Sequence, residues 1–174
     1  LYALSAILKP RNILGLGIFT GYPVVWSLGP GLQQVYPAEK LIGVEIDKNN
    51  ARLGNDNIQA LIEEIKSPVK AEILGEDGFD VLERYGEGSI DLLYLDANGT
   101  NPESGVASKN INFAFLKKAY PKIKPGGWVI CHNAYQPSFQ TEAADYLSMT
   151  EDEKYFSMTA TVGIDEMGIE FSIK

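Results

Sequence analysis

The sequence predicts an α/β domain: a doubly wound, mostly parallel seven-stranded sheet that ends in a C-terminal antiparallel hairpin. Three observations predict it. Short apolar runs alternate with amphipathic stretches, as strands alternate with the helices that cover them. The last two apolar runs are instead joined by a few residues only, which suits a hairpin. The 174 residues contain no internal repeat, low-complexity tract or linker, so one domain is expected.

In chain order, Tyr2–Leu8 has a short helical pattern and Asn12–Gly17 reads as a first buried strand. Lys40–Glu45 is a second strand. Asn49–Lys66, between Asp47 and Ser67-Pro68, reads as a long helix. Its Ile58, Leu61, Ile62 and Ile65 recur at helical spacing and should face the sheet, leaving Glu63-Glu64 in solvent. Val69–Leu74 is the third strand and Ser89–Leu95 the fourth, too densely apolar for a solvated face. A helix over Lys109–Tyr120 leads to a turn at Lys124-Pro125-Gly126-Gly127, where Pro presets one torsion and Gly accepts a positive one. Trp128–Cys131 is the fifth strand, Thr141–Leu147 is helical, and Tyr155–Val162 pairs with Gly168–Ile173 across Gly163–Met167. Trp26 and Trp128 are expected in the core.

Charge and composition narrow the function. Fifteen basic against 23 acidic residues leave a net charge of −8, which repels phosphate backbones and anionic lipid. Neither nucleic acid nor membrane is an expected partner; a compact cation would be attracted. One cysteine excludes a disulfide framework and a multi-thiolate metal site, and fits a cytoplasmic setting. The uncharged stretch Asn12–Ala38 is broken by Gly and Pro and does not read as a membrane span, and no signal-peptide pattern is present.

In open α/β sheets ligands sit beyond the carboxyl ends of the strands, which directs attention to Gly17–Gly21, Glu45, Gly75–Gly78, Asp96–Gly99 and His132-Asn133. Glycines after the first strand permit a tight turn and close approach to a ligand, although a purely structural turn would use them too. The spacing is not G-x-G-x-x-G, because Thr20 stands in the third glycine's place. Glu45, at the end of the next strand, can accept two hydrogen bonds from a ribose diol, or can be a solvated strand-end acid. His132 is the chain's one histidine; it reads either as a ligand or base, or as an ordinary hydrogen-bonded strand-end residue. Alternation along the strand turns Cys131 to the opposite face and into the core.

Taken together these segments resemble the class I S-adenosylmethionine-dependent methyltransferases, and among them the catechol and caffeoyl-CoA type of O-methyltransferase. Leu14–Pro23 is similar to the family's L-E-x-G-x-x-x-G-Y-S motif, Leu41–Asp47 to its ribose-binding strand and Gly75–Gly78 to its adenine turn. Ile90–Asp96 resembles its fourth strand and Lys124–Asn133 its fifth, so the likeness covers nearly all of Tyr2–Lys174. The resemblance implies a Rossmann-like form of the sheet and methyl transfer to a small-molecule acceptor, most simply a hydroxyl. It implies cofactor contacts from Gly17, Phe19, Gly21, Tyr22, Glu45, Ile46, Asp77, Gly78 and Asp96, with Asp96 and His132 catalytic. Acidic Glu45, Asp77 and Asp96 around one cleft would suit a sulfonium cation. Asp96, His132 and Asn133 fall where the family holds a divalent metal; this set leaves Mn, Fe or Mg open, and metal-free catalysis with His132 as base beside it.

The departures are specific. Gly15 replaces an acidic residue, Pro23 replaces a hydroxyl residue, His132 replaces a carboxylate, and no lysine stands a few residues beyond Asp96, where Gly99 is nearest its place. Only Tyr2–Leu8 precedes the first strand, so most of the family's N-terminal helices are expected to be missing and the cleft to be open or closed by a partner, such as a second copy in a homodimer. Two alternatives remain: a non-catalytic cofactor-binding module of the same fold, and a nicotinamide-dependent oxidoreductase.

Overall fold

A computed structural model describes residues 1–22, 29–105, 108–133, 140–163 and 167–174. They form two compact units, Leu1–Val81 and Leu82–Lys174. The strands follow the order β3-β2-β1 in the first unit and β4-β5-β7-β6 in the second. The fold is the expected Rossmann-like α/β one, a mostly parallel seven-stranded sheet with a C-terminal antiparallel hairpin.

The first unit contains helix α1 (Tyr2–Leu8), strands β1 (Asn12–Leu16), β2 (Lys40–Val44) and β3 (Lys70–Leu74), and helix α2 (Lys48–Ile65). The three strands are parallel, with Leu14 opposite Ile42 and Ile42 opposite Glu72. The last four residues of both β1 and β2 are buried, which is why both strands read as unbroken apolar runs. Helix α2 begins where the Asp47 carboxylate caps the amides of Asn49 and Asn50, each at 2.9 Å.

The buried stripe of α2 is Ala51, Gly54 and Ile58. Leu61, Ile62 and Ile65, expected against the sheet, are only half-buried, while Glu63 and Glu64 are exposed as expected. The C-terminal part of this 18-residue helix gains little cover because each of the three strands beside it has only five residues. Its polar face does a second job. Asn55 Oδ1 accepts the Ile73 N–H at 3.1 Å, and Gln59 Nε2 donates to the Ala71 carbonyl at 2.8 Å. These are outward backbone groups of β3, the end strand of the order, so α2 blunts an edge that could otherwise pair with another chain.

A short helix not foreseen from the sequence, α3 (Gly78–Glu83), runs from the first unit into the second. The second unit then holds β4 (Ile90–Leu95), α4 (Ile111–Ala119), β5 (Ile123–His132), α5 (Gln140–Thr150), β6 (Met158–Val162) and β7 (Ile169–Ile173), with 3₁₀ turns at Ser108–Asn110 and Tyr120–Lys122 flanking α4. All six residues of β4 are buried. β4 and β5 are parallel, whereas β7 runs antiparallel to both β5 and β6.

β5 starts five residues earlier than expected. Lys124–Gly127 is a bulge inside the strand, not a turn before it: Ile90 pairs with Ile123, but Leu92 already pairs with Trp128. Gly126 takes φ +74° there, and the C-terminal Lys174 closes the bulge by accepting the Gly126 N–H at 2.8 Å and donating to the Gly127 carbonyl at 3.0 Å. Trp128 is half-buried against Phe171, with ring centroids 5.9 Å apart, rather than in the core. Cys131 is buried as expected. Trp26 and Pro23 lie outside the described residues.

Candidate functional site

In the first unit the chain leaves β1 through Gly17 at φ +77°, Phe19 at +51° and Gly21 at +87°. The Gly17 N–H reaches the Val44 carbonyl at 2.9 Å, and the Gly21 N–H the Ile18 carbonyl at the same distance, so the turn is tied to the end of β2 and to itself. The left-handed backbone at Gly21 calls for glycine. A Cβ there would lie 2.8 Å from the Ile73 side chain, and the backbone of Gly54 in α2 would be 3.4 Å away. Gly54 answers it: a Cβ at 54 would meet the backbone of Thr20 at 2.9 Å and of Gly21 at 3.1 Å. The sequence reading missed Gly54, although a glycine inside a helix, costing about 1 kcal/mol against alanine, is itself a signal.

Glu45 follows β2, and its two oxygens hold the turn and the helix start together. Oε2 accepts the Phe19 N–H at 2.9 Å and Oε1 the Asp47 N–H at 3.0 Å. The first of these bonds anchors Phe19 in a left-handed backbone that a bulky side chain rarely adopts. Each carboxylate oxygen retains a second acceptor direction. Phe19, Tyr22 and Ile46 expose 61%, 68% and 71% of their surface beyond the carboxyl ends of β1 and β2, an apolar surface that a bound ring system could cover. Asp77 is exposed, caps α3 by accepting the Phe79 N–H at 2.7 Å, and so has a structural reason to be acidic; Gly78 beside it is buried. Gly17, Gly21, Glu45, Ile46 and Asp77 thus all follow strand ends of this unit, a turn and an acid that fit a nucleoside cofactor.

In the second unit, Asp96 follows β4 and His132 is the last residue of β5, the strand paired with it. His132 Nδ1 lies 3.1 Å from Asp96 Oδ2, and the Tyr94 hydroxyl donates to the same oxygen at 3.3 Å. With its hydrogen on Nδ1, the imidazole donates to Asp96 and Nε2 becomes the basic nitrogen. Asn133 is buried at φ +64°, its N–H bonded to the Gly168 carbonyl at 3.1 Å. A lysine does reach this centre, from a place the sequence reading did not consider. Lys109 Nζ sits 2.5 Å from Asp96 Oδ1 and 3.3 Å from the Asp96 carbonyl. No local spacing joins positions 96 and 109; only the folding of the intervening loop does. At Gly99, the position nearest the family's lysine, a Cβ would already lie 3.2 Å from Ile111.

The expected metal set fares poorly. Asp96 is its one carboxylate, and that carboxylate already holds an ammonium, an imidazole and a phenol. Among the described residues no three His, Cys, Asp or Glu side chains converge as metal ligands. Hard divalent ions prefer several oxygen donors, so this donor set does not fit one.

Behind the centre lies a fully buried acid. Glu170 of β7, paired across the sheet with Cys131, has no exposure, and burial pushes its carboxyl up to about 7 despite help from the Thr150, Tyr146 and Ser172 hydroxyls. The Ser172 hydroxyl donates to Oε1 at 3.2 Å, while Oε2 has no hydrogen-bond partner. Burial also raises the Cys131 thiol and the Tyr146 phenol, so all three neighbours favour their neutral forms. No helix among the described residues is long and apolar enough to cross a membrane.

Comparison with known proteins adds the following. A family described as "Methyltransferase domain" matches residues 14–134. Among solved structures, an O-methyltransferase from Bacillus cereus in complex with SAH is 19% identical with a TM-score of 0.69, the match covering 99% of this chain and 78% of that one. A Streptomyces achromogenes O-methyltransferase of tomaymycin synthesis, in complex with SAM, is 17% identical with a TM-score of 0.68, covering 99% and 76%. An SAH-bound methyltransferase from Podospora anserina is 14% identical with a TM-score of 0.71, covering 98% and 74%. At such identities the likeness is one of fold. No curated protein matches the chain.

Proposed function

The chain is a methyltransferase, a member of the methyltransferase-domain family matched over residues 14–134, and from that premise we propose that it moves the methyl group of S-adenosylmethionine to a hydroxyl of a small molecule. When bound, the cofactor supplies an electrophilic methyl group on a sulfonium. In this reading Glu45 receives the ribose hydroxyls, and the turn through Gly17, Phe19, Gly21 and Tyr22 meets the amino-acid end. Ile46, Asp77 and Gly78 border the adenine. The net charge of −8 supports a cationic cofactor over a polyanionic partner.

The Asp96–His132 pair carries the assignment of the chemistry. A hydroxyl is a weak nucleophile until its proton leaves, and His132 Nε2 is the group proposed to take it, with the Nδ1–Asp96 contact of 3.1 Å fixing the ring and stabilising the imidazolium that forms. Asp96 is thereby read as the residue that orients the base, and it is proposed to contact the cofactor as well. A soluble, cytoplasmic setting and small-molecule acceptors complete the reading.

The experiment pairs calorimetry with label transfer. The protein should bind S-adenosylhomocysteine and move labelled methyl from S-adenosylmethionine to a phenolic acceptor in a panel. His132→Ala should keep that affinity and lose on the order of 10²–10⁴ in rate. Absence of S-adenosylhomocysteine binding would defeat the reading. Binding without transfer to any acceptor would leave a cofactor-binding module, and unchanged rate in His132→Ala would remove the base.

A further inference from the structure

We propose that the Lys109 ammonium is the resident cation of the Asp96 centre, occupying the carboxylate that a metal-assisted enzyme would give to a divalent ion, so that this methyltransferase works without one. The inference rests on the transferase reading above and deepens it by stating how the acceptor side is charged.

Three observations carry it. Lys109 is only 7% exposed, and a lysine so buried is rare unless paired. Its ammonium meets both the carboxylate and the carbonyl of Asp96, at 2.5 and 3.3 Å, a two-point attachment and not a passing surface pair. Both partners are also held in place from behind. Asn112 clamps the peptide after Asp96, accepting the Ala97 N–H at 3.0 Å and donating to the Ala97 carbonyl at 3.2 Å. On the lysine's side, the Lys109 N–H donates to Glu142 Oε2 at 3.1 Å, and Asn110 donates to the Glu142 carbonyl at 2.9 Å. The loop before it is pinned to Asn110 in turn: the Asn101 amide donates to Asn110 Oδ1 at 2.6 Å and the Ser104 hydroxyl at 3.1 Å.

The charge count then decides. The Asp96 carboxylate and the Lys109 ammonium cancel each other. A divalent ion on Asp96 would stand beside the ammonium of a lysine whose backbone N–H is held by Glu142, and like charges at such range repel strongly in a partly buried site. The remaining expected ligands, His132 and Asn133, bring no negative charge to offset it. Lys109 is a positioning residue in this account: it sets the charge and orientation of Asp96, which in turn holds His132.

The test titrates Mn²⁺, followed by electron paramagnetic resonance, into the EDTA-dialysed wild-type protein with and without S-adenosylhomocysteine. Mn²⁺ binding weaker than about 1 mM is expected, together with S-adenosylhomocysteine affinity that EDTA changes less than twofold. Tighter Mn²⁺ binding that Asp96→Asn abolishes would overturn the proposal. Lys109→Met should bind Mn²⁺ at least fivefold more tightly than wild type and Lys109→Arg should not; equal affinity in wild type and Lys109→Met would count against the resident-cation role. Should Lys109→Met fail to fold, the wild-type titration decides alone. Failure of S-adenosylhomocysteine to bind would sink the transferase reading, whereas its binding alongside tight Mn²⁺ would sink this inference only.

Discussion

Replacing Glu170 with glutamine should stabilise the protein at neutral and alkaline pH and remove a pH dependence that the wild type carries. Glu170 is wholly buried, one carboxylate oxygen has no hydrogen-bond partner, and its folded pKa stands near 7 against an ordinary 4.5. The native state therefore keeps a proton that the unfolded chain gives up at lower pH. The folded state gains from this fully below about pH 4.5, loses it progressively as pH rises, and has lost it once pH passes about 7. At 1.36 kcal/mol per unit of pKa the whole effect is about 3 kcal/mol, of which about 2 develops between pH 5.5 and 8.5. Glutamine keeps the shape and carries no charge at any of these pH values. Urea unfolding followed by tryptophan fluorescence across that range should show the stability difference between Glu170→Gln and wild type growing by about 2 kcal/mol, in the variant's favour at the alkaline end. A difference that stays constant with pH would refute the reasoning, because it would mean that Glu170 titrates alike in both states.

Glu45→Ala should weaken S-adenosylhomocysteine binding by about 1–3 kcal/mol, since it removes both the proposed ribose acceptor and the anchor of the Phe19 N–H. Glu45→Gln, which keeps one acceptor oxygen, should lose less, and unchanged affinity of Glu45→Ala by calorimetry would dismiss the assignment. The double variant Asn55→Ala/Gln59→Ala should lose about 1 kcal/mol per hydrogen bond and self-associate as concentration rises, because the outward groups of Ala71 and Ile73 become available for strand pairing. Sedimentation and urea midpoints indistinguishable from wild type would show that α2 does not guard this edge.

The fold was legible in the sequence because β1, β2 and β4 bury both faces. Asn12–Leu16, Lys40–Val44 and Ile90–Leu95 stand out as apolar runs whatever surrounds them, and the cap Asp47 acts on its immediate neighbours. The strand-end rule then located Glu45, Asp96 and His132 with no knowledge of what each would touch. Where the signal was weak, the reading failed: the six residues of α3 are too few to show a helical period, and the bulge in β5 looks like a turn because both use Pro and Gly.

Only the tertiary structure decided how those residues are charged and held. Lys109 stands 13 residues beyond Asp96, outside any local motif, and reaches it because Asn101, Asn110, Asn112 and Glu142 fold a polar loop back onto the strand. Gly54 and Gly21 meet across 33 residues, and the Glu170 carboxyl is pushed up to about 7 because β7 turns it into the core beside Cys131 and Tyr146. Backbone periodicity depends on the nearest few residues, so a chain displays it directly. The charge state of a site depends on which distant groups share its space, and that is set only when the chain has folded.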